Sequence, residues 1–415
     1  MKILVQGINF APDLIGIAKY TTEMCAALVA RGHAIHVITA PPYYPNWAVP
    51  APYRATRYAN ETIENVPVTR CPLYVPRAPT GTRRLIHHAS FAASNALATF
   101  YYARRLRPDV IFAVAPSLMS APAAYLAARL CGAVSWLHIQ DFEIDAAFEL
   151  GLMSGHAIRR LALAGERCLL GAFDCISTIS PRMIARLREK GVDNGRLFEL
   201  RNWVDTTFVK PSDRLTSYRL ALGIDAAKIV ALYSGNMATK QGLEHLAQAA
   251  HWLAANCPEV VLILCGTGPM RPRLEAQTAG LPNVHFLNLQ PNEKFPELLA
   301  TADIHLLPQR SEAAGLVLPS KLTGMLASGR PIVVMAEANT ALAAEVRDAG
   351  IVVPTGSGDA LARAVARLAA DADLRERYGK TARRVALERW DRTAIIAALE
   401  SRLEILTARP ALQLA

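Results

Sequence analysis

Four short segments of the chain carry groups that could handle an anion or hydrogen-bond a ligand. Ser234-Gly235-Asn236 stands just before Lys240-Gln241-Gly242. A turn of that kind can present backbone N–H groups, and one ammonium, to phosphate oxygens. A solvated lysine beside a glycine turn would explain the same residues without a ligand. In Gly266-Thr267-Gly268-Pro269 the glycines Gly266 and Gly268 would let backbone approach a ligand closely, although an ordinary tight turn has the same composition. No Gly-Lys-Ser/Thr follows, so this is not a triphosphate-binding P-loop.

The third segment, RSEAAGLVLPSKLTGMLASG from Arg310 to Gly329, holds Arg310, Glu312, Ser320 and Lys321. Pro319 suits a first helical turn, which puts Lys321 where the helix dipole repels a cation by roughly 0.3–1 kcal/mol. A bound phosphate would remove that conflict; a side chain reaching out to water would also relieve it, and Glu312 reads equally as a surface acid. The fourth segment, LHIQDFEID, ends an apolar run at His138 and follows it with Asp141, Glu143 and Asp145. His138 is either a satisfied core histidine or a site residue. No metal is expected, since Asp371-Ala-Asp373 lies in a polar helical stretch, and cations with N–H groups are the natural means of stabilising an anionic leaving group.

The elements that must position these residues are legible from periodicity. The first half reads as strand MKILVQGI, a helix from about Ile17 to Arg31, strand AIHVITA, an aromatic and proline-rich stretch, a long helix near Arg83 to Arg107, and strands VIFAV and VSWLHI. After Arg201 the alternation restarts with KIVALYSG, VVLILCG, NVHFLNL, DIHLLPQ and PIVVMAE as strands, each followed by a helical pattern. Regular alternation implies parallel sheets with right-handed crossovers, whose ligands sit at the strand-to-helix junctions that carry the four segments. The stretch RNWVDTTFVKPSDR has neither periodicity and marks a junction. The expected domains are 1–201 and 202–387, with a terminal helix of about 388–415 packing back on the first.

A chain of 415 residues fits two domains. With 52% hydrophobic and 19% charged residues it is neither disordered nor a coiled coil. Seven scattered cysteines without ligand spacing read as reduced core residues of the cytoplasm. The N-terminus turns polar too early for a signal peptide, and the uncharged stretch 110–128 is broken by Pro116 and Pro122, so it reads as strand, loop and helix instead of a membrane span. The net charge of +10 is concentrated early: residues 54–107 hold nine arginines against Glu61 and Glu64 alone. Such a patch seeks an anionic partner. In the long helix Leu85, Ala89, Ala92, Ala96 and Phe100 recur at helical spacing while Arg83, Arg84, Arg104 and Arg105 cluster at the ends, a pattern of a helix lying on an anionic membrane surface or of a core helix with solvated ends.

The segments GINFAPDLIGIAKYTTEM, TAPPYYPNW, RCPLYVP, LHIQDFEIDAAFELG, YSGNMATKQGLE and LPSKLTGMLASG resemble glycosyltransferase family 4, of the GT-B fold, over most of residues 1–335. The resemblance implies two Rossmann-like domains facing each other across a cleft and retaining transfer from a nucleoside diphosphate sugar in bacterial exopolysaccharide assembly, with GDP-fucose as its nearest donor analogy. It implies that Gly16 occupies a glycine loop near the donor phosphates, that His138 is the active-site histidine, that Lys240 binds phosphate, and that Glu312 is the first of two motif glutamates seven residues apart. The second, which holds the ribose, is Ser320 here, a departure that bears on which nucleotide fits.

On this reading Gly235, Asn236, Lys240, Arg310, Ser320 and Lys321 join Gly16 around the diphosphate, while Glu312 and His138 orient the sugar. Tyr43, Tyr44 and Trp47, with the arginines of the long helix, would offer acceptor and membrane surface. The acceptor would be a saccharide on polyprenyl diphosphate, reached from the inner face of the cytoplasmic membrane; no cofactor and no nucleic-acid partner is expected. The alternatives are a nucleotide-sugar epimerase of the same fold and a non-catalytic scaffold that binds the nucleotide sugar.

Overall fold

The computed structural model describes residues 1–13, 16–149, 156–238, 241–310 and 318–408. They fall into two compact units, Met1–Arg201 with Ile395–Ala415, and Asn202–Ala394. The first is built on strands β1 (Lys2–Gly7), β2 (Ala34–Thr39), β3 (Ala59–Ile63), β4 (Val66–Arg70), β5 (Val110–Ala115), β6 (Val134–Ile139), β7 (Cys175–Thr178) and β8 (Leu197–Glu199). Their order in the sheet is β3-β4-β2-β1-β5-β6-β7-β8, parallel throughout except for the antiparallel pair β3 and β4. The second unit carries β9 (Ile229–Ser234), β10 (Val260–Cys265), β11 (Val284–Leu287), β12 (Ile304–Leu307), β13 (Ile332–Met335) and β14 (Gly350–Val353), ordered β11-β10-β9-β12-β13-β14 and all parallel.

Helices on both faces explain why β5, β9 and β10 are buried at every residue. Side chains alternate between two cores. Ala231, Tyr233, Leu262 and Leu264 enter one, whereas Val230, Leu232, Ile263 and Cys265 enter the other. The uncharged stretch 110–128 resolves into β5, a 3-10 turn and the helix Ala121–Cys131. No helix among the described residues is long and apolar enough to cross a membrane. Strands β3 and β4 fall inside the stretch that sequence periodicity leaves as irregular; polar Asn60, Glu61 and Thr62 on the edge strand hide its alternation.

Strand order reverses between β1 and β5 in the first unit, and between β9 and β12 in the second, and doubly wound sheets bind ligands beyond the carboxyl ends of the strands at such points. The passage back to the first unit comes later than residue 388, because Trp390 is buried in a core of the second unit. There Val204 N–H donates to Trp390 O (2.8 Å), Arg392 N–H to Val204 O (3.0 Å), and the Thr206 hydroxyl to Asp391 Oδ2 (2.5 Å). The helix Arg392–Ala408 then buries Ile396, Leu399, Leu403 and Leu406, and its Glu400 meets His33 at 2.7 Å and Arg31 at 3.4 Å.

At the amino ends of β9 and β12, Asp303 is saturated. Its Oδ2 takes Arg219 Nη2 at 2.5 Å and the Val230 N–H at 2.8 Å, and its Oδ1 takes Arg214 Nη1 at 2.9 Å. Arg219 is fully buried, so Asp303→Asn leaves its guanidinium without a counter-charge. The expected loss is about 3–5 kcal/mol in urea unfolding; a loss below about 1 kcal/mol would show that the pair carries no such burden.

Candidate functional site

Backbone dictates most of the ligand end of the second unit. Beyond β9 and β10 the two loops keep pairing, with Gly235 N–H on Cys265 O (3.0 Å) and Met237 N–H on Thr267 O (2.8 Å). A Cβ on Gly266 would lie 1.9 Å from Gly235 O, and one on Gly268 2.6 Å from Met237 O. Both glycines also have positive φ, 150° and 148°. They are therefore required by loop-to-loop packing, since the room a side chain would take is already filled by backbone. Asn236 is exposed beside them, and its carbonyl accepts from the Tyr233 hydroxyl at 2.7 Å.

Gly235 is a different case. At φ 140° it faces the Lys321 ammonium, which a Cβ would approach to 3.2 Å. Lys321 opens the helix Lys321–Ala327, one residue beyond the exposed Ser320, which makes no side-chain cap bond. Its Nζ donates to Tyr233 Oη (3.1 Å) and Gln241 Oε1 (3.2 Å) and stands 4.3 Å from the Tyr233 ring centroid. Among the described residues it has no carboxylate partner. Burial alone pushes its proton affinity down, to a pKa of about 8.

Arg310, expected at the diphosphate, is instead paired with Glu244 Oε1 at 2.5 Å. The pairing has a local cause: Gly242, at φ 65°, has no side chain to hold Arg310 off, and Glu244 opens the helix Glu244–Asn256 beside it. Arg310 Nε and Glu244 Oε2 remain buried without hydrogen-bond partners. Tyr233, Gln241 and Glu244 were not singled out by sequence; only the turn they flank was. Lys240 and Glu312 lie outside the described residues.

In the first unit His138 ends β6 and is buried, its Nδ1 2.8 Å from the hydroxyl of Ser177 on β7, which also accepts from Trp136 Nε1 at 2.8 Å. Burial pushes its pKa down to about 3, so the imidazole is neutral across the physiological range and can hydrogen-bond but not serve as an acid. Of the acids that follow it, Glu143 accepts from the N–H groups of Ser117 and Leu118, holding the loop after β5 where Ser117 takes φ 84°. Asp145 pairs with Arg186 (3.2 Å) and Lys190 (3.1 Å). These two are structural.

Gly16, at φ 63°, is the exposed residue preceding the helix Ile17–Ala30. Asp13, three residues earlier and missed by sequence, is buried; desolvation outweighs Asn9 and Arg70 and raises its carboxyl to about 6. Its only sequence signal was a charge inside a glycine-ended loop. Tyr44 is exposed, but Tyr43 is buried, with its ring 4.6 Å from His87 and 5.5 Å from Trp47. Arg84 lies 5.3 Å over the Trp47 ring and so is not one of the helix's solvent-facing cations. Arg83, Arg104 and Arg105 are exposed. The helix Gly81–Leu106 buries His87, Phe91, Asn95, Ala98, Thr99 and Ala103, so its outer line is Ile86, Ala89, Ala93, Leu97 and Tyr101. The stripe of Leu85, Ala92, Ala96 and Phe100 is thereby corrected to a flank: polar residues occupy the buried face, and reading apolar spacing alone rotates the helix by about one position.

Two family models match, a glycosyl transferase 4-like domain over residues 16–203 and the glycosyl transferases group 1 over 216–385. The chain is 44% identical over 349 residues, 82% of its length and 85% of the relative's, to WcaI of Escherichia coli (strain K12), whose name assigns it to colanic acid biosynthesis as a glycosyl transferase. Among solved structures it is similar to the sucrose-phosphate synthase of Thermosynechococcus elongatus, at TM-score 0.73 and 18% identity over 98% of this chain and 99% of that one. HepE of Anabaena in complex with UDP and glucose follows at TM-score 0.68 and 17% identity, covering 97% and 99%.

Lys321 has a measurable signature. An unfolded chain holds the lysine proton until pH about 10.5, the native state only until about 8. Between these values the unfolded state binds more protons, so native stability rises with pH; below pH 8 the ammonium is charged in both states and its desolvation cost applies in full. Lys321→Met is therefore expected to be more stable than wild type at pH 7, by up to about 3 kcal/mol, with the gap closing toward pH 10.5. Paired urea titrations at pH 7 and 9.5 measure it, and a gap independent of pH would place the ammonium in water.

Proposed function

The chain belongs to glycosyltransferase family 4 and has the GT-B fold, and from that premise we propose that it transfers a sugar, with retention, from a nucleoside diphosphate sugar to a lipid-linked saccharide during exopolysaccharide assembly. The observation that carries this reading is the Lys321 ammonium, dry and without a carboxylate among the described residues, set against Gly235 at the switch point of the second sheet. Bond cleavage at the anomeric carbon leaves negative charge on the diphosphate, and a cation already stripped of water stabilises that charge more than it stabilises the bound substrate. A diphosphate would also restore the proton affinity that burial removes.

Lys240, Asn236 and Gly235, with Gly16, are assigned to the same diphosphate, and Ser320 to the ribose side. His138 and Glu312 are assigned to the sugar hydroxyls, His138 as a neutral hydrogen-bonding group. The UDP in the HepE structure supports a nucleoside diphosphate donor; the name of the E. coli relative supports colanic acid or a similar polymer as the product, with GDP-fucose as a donor to be tried first. Transferase membership weighs against the epimerase alternative, and turnover decides against a scaffold.

The test is sugar transfer from a donor panel to a lipid-linked acceptor, with thermal shifts by GDP, UDP and dTDP choosing the base. Lys240→Ala or Lys321→Met should lower turnover about a hundredfold. His138→Ala and Glu312→Ala should lower turnover strongly with nucleotide affinity nearly unchanged. Collapsed affinity with unchanged turnover per complex would move these two to another subsite.

Membrane docking is assigned to the helix Gly81–Leu106, whose outer line exposes Leu97 by 70% and Tyr101 by 54% between Arg83 at one end and Arg104 and Arg105 at the other. Each arginine near an anionic surface contributes about 1 kcal/mol. Co-sedimentation with anionic vesicles at low salt should exceed that with neutral vesicles and fall when Arg83, Arg104 and Arg105 become Gln; binding indifferent to lipid charge and to those changes removes the assignment.

A further inference from the structure

At the opposite edge of the second sheet from the glycine turns lies a cavity of about 510 Å³. It opens beside the amino ends of β12 and β13, where Asp303 and Arg330-Pro331 precede the strands, and is walled by the helix Ala372–Arg389. The length of β12, roughly 13 Å, separates it from the diphosphate residues. Small-molecule sites span about 300–1,000 Å³, so it is large enough for more than a lone ion.

Its lining holds Arg214, Arg330, Arg375, Lys380 and Arg383 against two carboxylates, Asp303 and Glu376. Both carboxylates are already used. Asp303 is saturated by Arg214, the buried Arg219 and the Val230 N–H, and Glu376 pairs with Lys380 at 2.5 Å. The other three arginines bond to carbonyls alone among the described residues. Arg330 Nη2 reaches Ser212 O (2.9 Å), Arg375 Nη1 reaches Leu368 O (2.5 Å) and Ala369 O (2.7 Å), and Arg383 reaches Val209, Ala327 and Thr206 carbonyls at 2.9 Å each.

Carbonyls fix a guanidinium in place without cancelling its charge, and Arg330 Nε is buried with no partner at all. Desolvation holds both Arg330 and Arg383 below the usual arginine range; Asp303 opposes it at Arg330, where Arg214 and Arg219 add to it, and Asp391 opposes it at Arg383. The wall behind them is rigid. A Cβ on Gly379 would lie 2.3 Å from Gly329 O, and one on Gly329 2.8 Å from Pro211 Cγ, so the helix is packed down onto the strand-end turn. No aromatic ring lines the cavity among the described residues, so a base would have only guanidinium planes to stack on, and those are held by carbonyls.

We propose that this cavity is a second anion site, distinct from the donor residues, which binds a phosphorylated small molecule without a nucleobase. Three guanidiniums whose direct hydrogen bonds among the described residues go to carbonyls match a ligand with two or more phosphate charges, and the volume admits a sugar bisphosphate as readily as inorganic pyrophosphate. The arginine that grips the linker carbonyls of Thr206 and Val209 also faces the cavity, so occupancy is read directly by the segment entering the second unit.

The experiment is isothermal titration of the full chain with pyrophosphate and, separately, with fructose 1,6-bisphosphate, at ionic strength held constant with chloride. Because pyrophosphate could also enter the donor residues, it is run on wild type and on Lys321→Met. The expected result is one site retained in Lys321→Met, weakened at least tenfold in Arg330→Gln/Arg375→Gln; the tighter of the two probes tells an organic phosphate from an inorganic one. Should that double variant fail to fold, Lys380→Glu, at a side chain 76% exposed, reverses a charge at the rim and should weaken the same site. No binding above the chloride background overturns the proposal. So does binding that is lost in Lys321→Met and unaffected by the cavity substitutions.

Discussion

A desolvated ammonium with no carboxylate partner among the described residues is the constraint around which the second unit's ligand end is arranged. Lys321 packs against Gly235, where a Cβ would crowd its Nζ at 3.2 Å, and it is held by the Tyr233 hydroxyl and ring face and by Gln241. The neighbouring charges are disposed so as not to neutralise it: Glu244, the acid at the start of the adjacent helix, is turned to Arg310. Burial costs the native state stability at neutral pH, and a ligand that brings negative charge recovers it. Packing and chemistry are in this sense one arrangement, since the same glycine that admits the lysine stem leaves its charge unanswered.

The two units use opposite electrostatic devices at corresponding strand ends. In the second, a desolvated cation has no carboxylate partner among the described residues. In the first, His138 is neutral, set between the Ser177 hydroxyl and the Phe112 ring of β5, while Glu143 and Asp145 after it are tied to backbone and to cations. Neutral polar groups suit sugar hydroxyls, which carry no charge to be answered. Asp13 is the exception: a buried carboxyl with a pKa near 6, close to Gly16 in sequence, that can change charge just below neutrality.

Much of this was legible in the sequence wherever a single physical cause acts. β9 and β10 are unbroken apolar runs because both faces of a parallel sheet are covered, and the four segments at strand ends follow from that alternation. Legibility failed where two causes share a residue type. Gly266 and Gly268 read as a ligand loop in the sequence, which does not show that the neighbouring backbone also needs them; Gly235 reads the same and faces the lysine. Arg310 is a cation at the right junction, but its partner Glu244 is 66 residues away along the chain. The helix Gly81–Leu106 was found, yet its rotation was misjudged, because His87, Asn95 and Thr99 face inward. Strand β3 escaped since a solvated edge has no need of apolar alternation, and with it the buried strand β4 that it pairs with.

The chain leaves the first unit near Arg201 and comes back at Ile395, its outgoing and returning strands pinned side by side at Val204 and Asp391. Topologically the second unit is an insert, and the first is discontinuous. During synthesis all eight strands of the N-terminal sheet emerge before the insert, but the helix that completes the unit does not. Ile396, Leu399, Leu403 and Leu406, and the Glu400 partner of His33, arrive only after the whole insert has been translated, a delay of roughly 10–40 s at ribosomal speeds. Through that interval the half-built unit shows sticky surface to the cell, and the nascent polypeptide depends on chaperones or on the insert folding promptly to bring its last helix home.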